Sequence, residues 1–119
     1  MTLEQLIRNI KHLQKHMGYI DFINESEENR LQYTRDVALA LQKEVSEFLD
    51  EVPWKPWQSI NAQHSDKNAA GNEVCDIIVF AIVLYIITDP DMPLEEAMNR
   101  TLTKITDRIK LGYGKPKEK

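Results

Sequence analysis

The chain has 119 residues, 42% of them hydrophobic and 29% charged, with a formal net charge of −4; this is one domain with enough apolar content for a core, and the acidic balance argues against a nucleic-acid binder, which would show a basic surface. The single cysteine, Cys75, excludes an intramolecular disulfide and fits a reducing, cytoplasmic setting. No signal peptide or membrane span is expected: the N-terminus is amphipathic, and the longest apolar run, Ile77 to Ile87, has 11 residues where a span needs roughly 20.

Thr2 with Gln5 three places on is a capping-box signature, and Leu3, Leu6, Ile7, Ile10, Leu13 and Met17 then trace one apolar stripe as far as Gly18, a natural stop. This predicts a first helix. His12 and His16 lie on it at i, i+4, a spacing that can hold a metal, but no acidic pattern accompanies them and they read as a solvated face. Tyr19 to Glu25 reads as a connection whose aromatic and apolar residues pack down. Ser26 caps a long second helix running to about Val52, with Leu31, Val37, Ala38, Leu41, Val45, Phe48, Leu49 and Val52 on its buried side. Pro53 ends it.

Pro53-Trp54-Lys55-Pro56-Trp57 places both tryptophans around a lysine in a loop stiffened by two prolines. The tryptophans either offer flat faces on which a base stacks or simply cover the end of the bundle. Gln58 to Lys67 is polar and aperiodic and is expected to include a flexible turn, and His64 has no ligand spacing. Ser65 or Asp66 caps a third helix containing Glu73, Asp76 and the run Ile77 to Ile87. The run is rich in β-branched residues and could pass for a strand, but its length and the lack of any partner strand favour a helix. Such a helix is apolar all round and needs cover on every side, more than three other helices supply, so a homodimeric or homotetrameric interface is expected. Cys75 reads as a small buried residue rather than a redox group.

Thr88 to Pro93 is a turn, and a fourth helix follows to about Leu111, with Leu94, Ala97, Met98, Leu102, Ile105 and Ile109 inward and Gly112 closing it. Lys104 and Arg108 share a face of it; they either grip phosphates or belong to a solvated face. Residues 113–119 read as a mobile tail. The expected fold is an all-α, four-helix bundle subunit forming a single domain over 1–119.

Two acidic pairs dominate this plan, Glu44-x-x-Glu47 on the second helix and Glu73-x-x-Asp76 on the third. Residues at i, i+3 project from one helix face, so two such helices packed antiparallel could gather four carboxylates. Carboxylates so close repel one another unless protonated or bound to a divalent cation, and an all-oxygen set suits Mg2+, or Mn2+ in its place, completed by substrate phosphates. The pattern points to an enzyme acting on a phosphorylated molecule. A ferritin-like di-iron bundle would require Glu-x-x-His, which neither motif has. The alternative of another class is a non-catalytic helical interaction or regulatory module whose acidic rows are only solvated faces.

The double motif, in this order and on long helices, resembles the signature of the all-α nucleoside triphosphate pyrophosphohydrolases: MazG-type enzymes, dCTP pyrophosphatases and dimeric dUTPases. The likeness runs from about Leu31 to Tyr113. Trp54-Lys55-Pro56-Trp57 is similar to the Trp-Lys-rich loop of dimeric dUTPases, and Lys104, Arg108 and Gly112-Tyr113 are similar to their cationic last helix and its Gly-Tyr ending. The chain departs from those dUTPases in lacking their further C-terminal motif, so the resemblance implies the hydrolytic reaction and leaves the base open. It implies Mg2+-dependent hydrolysis of a (deoxy)nucleoside triphosphate to the monophosphate and pyrophosphate, as in nucleotide-pool house-cleaning. Glu44, Glu47, Glu73 and Asp76 would hold the metal, and Glu47 would position or deprotonate the attacking water. Lys55, Lys104 and Arg108 would bind the outer phosphates, with Trp54, Trp57 and Tyr113 also contacting the substrate.

Overall fold

The computed structural model of the chain describes residues 1–112, which form five α-helices and one 3-10 turn, with no strand among the described residues. Two compact units are present, Met1–Asp89 and a second that begins at Pro90.

In the first unit, α1 (Leu3–His16) starts on the expected capping box: the Gln5 N–H donates to Thr2 Oγ1 at 3.1 Å and the Thr2 N–H donates to Gln5 Oε1 at 2.8 Å. Gly18 ends this segment at φ +85°, a conformation that costs little only without a Cβ. The stretch expected to be a plain connection is a two-turn helix, α2 (Tyr19–Glu25). Seven residues cannot sustain a helix alone. Tertiary contacts hold it: Ile23 is buried, and the Tyr19 ring stacks on Tyr33 with centroids 4.6 Å apart. Tyr33 in turn donates its hydroxyl to the buried Gln14 of α1, and burial pushes its pKa up to about 12.

Ser26 caps α3 (Glu27–Asp50), its Oγ accepting from the Asn29 N–H at 3.0 Å. Asp66 caps α4 (Lys67–Thr88), accepting from the N–H groups of Asn68 and Ala69 at 3.1 and 3.0 Å. Helices α3 and α4 are the main packed pair, and α1 also packs on α4. They run antiparallel because both ends are tied. Arg30, early in α3, donates to the Ile87 carbonyl, where a cation also complements the negative end of α4. At the other end the Asp66 N–H donates to the Glu51 carbonyl at 2.9 Å.

The core consists of Ile10, Ile23, Val37, Ala70, Ile82, Val83 and Ile87. Helix α4 is long and apolar enough to cross a bilayer by composition alone; in this fold it lies along α3 and α1, with Ile82, Val83 and Ile87 buried. Its other face is open: Val74, Ile78 and Val79 are exposed, and so is Cys75, which was expected to be buried. Leu13 of α1, Met17 just after it, and Leu31 and Val45 of α3, all on the expected apolar stripes, are also exposed. The stripes were read wider than the faces that one chain covers. His12 and His16 are exposed, as a solvated face should be.

In the second unit, α5 (Leu94–Lys110) has Glu95 and Glu96 in its first turn and Arg108 and Lys110 in its last, the arrangement the helix dipole favours. Gly112, at φ +94°, follows it. Met98, Leu102, Ile105 and Ile109 form the expected stripe yet are exposed rather than inward. Their spacing shows that a face is meant to be covered and is silent about what covers it.

Candidate metal and phosphate site

Antiparallel packing of α3 on α4 brings Glu44, Glu47 and Glu73 together, each offering a carboxylate oxygen within 4.8 Å of the others. All three are half-buried. Glu44 Oε2 and Glu73 Oε2 are fully shielded from solvent, and no donor among the described residues reaches either of them. The Glu44 pKa is pushed up to about 7, first by the Glu73 carboxyl that can share its proton, then by burial and by Glu47. The donor set fits a hard divalent cation: three oxygen ligands, two with orphaned atoms, and no nitrogen or sulfur among them.

Asp76, expected as the fourth member, is exposed and lies outside this group. Three residues of α-helix turn the side chain about 60° away from the first position, and α4 turns Glu73 toward α3 while leaving Asp76 toward solvent.

These geometries predict a pH dependence. A carboxyl whose pKa rises on folding favours the protonated fold, so its contribution is fully present below the ordinary value of 4.5 and is lost as pH rises toward about 7. In EDTA the melting temperature should therefore fall between about pH 4.5 and 7. Excess Mg2+ should restore it at pH 7 and do little at pH 4.5, where protons compete for the same oxygens. Calorimetric scans at the two pH values, with and without Mg2+, check this.

Beyond the cluster, a cleft of about 210 Å3 opens at the end of α3, lined by Leu49 and Asp50, two and three residues past Glu47, and by Trp54, Lys55, Gln63 and His64. Trp54 and Trp57 meet edge to face with ring centroids 5.6 Å apart. Trp54 lines the cleft, whereas Trp57 is 68% exposed. Segment 58–67, expected to include a flexible turn, is pinned at several points. The 3-10 turn Ile60–Ala62 lies within it, and the Gln63 side chain is bonded back to the tryptophan loop. His64 Nε2 sits 2.9 Å from Glu51 Oε2, which raises the histidine's pKa. The sequence carried no signal for these contacts, because single side chains make them in an aperiodic stretch.

Lys104 and Arg108 are exposed, one turn apart on α5 in the second unit. Tyr113 lies outside the described residues.

A family model described as dUTPase matches residues 2–109. No curated protein and no solved structure matches the chain. The match takes in α1 to α4, both acidic motifs, the tryptophan loop and nearly all of α5. An all-helical chain with carboxylates gathered from two antiparallel helices, matched over that length, belongs to the dUTPase family of all-helical, MazG-like proteins.

Proposed function

We propose that the protein hydrolyses a (deoxy)nucleoside triphosphate to the monophosphate and pyrophosphate with Mg2+, or Mn2+ in its place, and serves nucleotide-pool house-cleaning. Family membership supports nucleoside triphosphate pyrophosphatase-type activity in broad terms. The observation that carries the finer reading is the Glu44, Glu47, Glu73 cluster, with two shielded oxygens that no donor among the described residues reaches.

In this reading Glu44, Glu47 and Glu73 hold the metal, and Asp76, exposed outside their group, is left off the ligand set. When bound, the cation would neutralise phosphate charge and acidify a water molecule. Glu47 takes the proton from the water that attacks the α-phosphorus; the bond from that phosphorus to the bridging oxygen breaks, pyrophosphate leaves, and Glu47 returns its proton to solvent. Lys55 pairs with phosphate oxygens, the task that the family resemblance also gives to Lys104 and Arg108. Trp54 stacks on the base beside the cleft, with Trp57 against its edge.

The functional form in this proposal is a homodimer or homotetramer. Support comes from the exposed apolar face of α4 at Val74, Ile78 and Val79 and from that of α5. Pyrophosphate release from a panel of canonical and oxidised nucleotides, with Mg2+ and with EDTA, tests the reading. Metal-dependent release from at least one nucleotide is expected; none from any of them would favour an interaction module.

A further inference from the structure

Among the described residues, the Gln63 side chain makes three hydrogen bonds to backbone and none to another side chain. Its Oε1 accepts from the Lys55 N–H at 2.9 Å, while its Nε2 donates to the carbonyls of Lys55 at 2.8 Å and Gln58 at 3.2 Å. The two contacts with Lys55 pair the amide with both the N–H and the carbonyl of one residue, which fixes the amide's orientation, since the flipped form would lose both. The segment held this way is a turn, Lys55 to Gln58, with Pro56 at its second position, where a fixed φ is favourable. The turn's own closing bond, from the Gln58 N–H to the Lys55 carbonyl, is long at 3.4 Å. Little apolar burial secures the segment either, because Trp57 and Ile60 are 68% and 71% exposed. Gln63 itself is half-buried, lines the cleft beside Trp54 and Lys55, and is followed by the His64 to Glu51 contact that ties the same strand of chain to the end of α3.

We propose that Gln63 is a positioning residue: by gripping the backbone of the Lys55–Gln58 turn it presents the Lys55 ammonium and the Trp54 ring to the substrate. This rests on the nucleotide-hydrolase reading above. Gln63 touches no reacting atom in this role and acts through Lys55 and Trp54. Holding a binding loop in its bound form before substrate arrives lowers the ordering cost of binding, so loss of the grip falls first on substrate affinity.

The test is Gln63→Met, which keeps the length and bulk of the side chain and removes all three hydrogen bonds. With the nucleotide that wild type hydrolyses best, KM should rise by about tenfold or more while kcat changes by less than about threefold, since the carboxylate cluster is untouched. Acrylamide should quench tryptophan fluorescence more strongly in the substrate-free variant, because the turn is loosened. Circular dichroism and melting of the variant are compared with wild type, and Gln63→Asn, too short to bridge Lys55 and Gln58 together, serves as a second variant with the same expected KM shift. Wild-type KM and quenching in both variants would overturn the positioning role and leave the hydrolase reading standing. A wild-type protein that hydrolyses no nucleotide would overturn the hydrolase reading, and the positioning role with it, even if quenching showed that Gln63 orders the turn.

Discussion

Glu47→Gln should leave the fold intact and lower turnover by about 10²- to 10⁴-fold, the usual contribution of a positioned general base. The amide matches the carboxylate in size, and Glu47 is half-buried, so packing survives. One carboxylate oxygen becomes an N–H group that can neither take a proton nor ligate a cation. Metal affinity should weaken less than turnover, because Glu44 and Glu73 retain the shielded oxygens. Single-turnover pyrophosphate release, with circular dichroism as the control for folding, makes the measurement; near wild-type activity would remove Glu47 from the chemistry.

A second large effect separates folding from assembly. Val83 is only 2% exposed within one protomer, so Val83→Asp strands a carboxylate in the core beside Ile82 and Ile87. An unpaired buried charge costs several kcal/mol, comparable with a small domain's total of about 5–15 kcal/mol, and the variant should not fold. Ile78, one turn or so earlier on the same helix, is 46% exposed. Ile78→Asp should change protomer stability by no more than about 0.5 kcal/mol yet place a charge on the apolar face proposed for the interface. Light scattering at low micromolar concentration should therefore show a folded monomer for Ile78→Asp and an oligomer for wild type. An Ile78→Asp oligomer of wild-type size would move the interface elsewhere.

Local chemistry made most of the helical plan legible. Thr2, Ser26 and Asp66 announce helix starts because each has a short oxygen able to satisfy a free N–H group, and Gly18 and Pro53 announce stops. The carboxylate rows were legible for the same reason: periodicity alone puts Glu44 and Glu47 on one face. What depends on two helices at once was less so. That Glu73 joins them and Asp76 does not is decided by the rotation of α4 against α3, which spacing along one chain does not encode. Helix α2 escaped because its stability comes from Ile23 and the Tyr19 to Tyr33 stack rather than from its own seven residues. Leu31, Val45, Cys75 and the α5 stripe were assigned to a core since apolar periodicity reports a covered face without naming its cover. Gln63 was the least visible, being one amide in a polar segment that reaches back eight residues to a backbone unit.

Mn2+ binding followed by electron paramagnetic resonance tests the cluster of Glu44, Glu47 and Glu73 most directly. As Mn2+ is titrated into metal-free wild-type protein near neutral pH, the free-ion signal should be suppressed until the sites fill. In the double variant Glu44→Gln, Glu73→Gln the same titration should show affinity reduced by at least about tenfold, the low end of what lost metal-site interactions cost. Equal suppression by wild type and the double variant, or none by either, would contradict a metal site at this cluster.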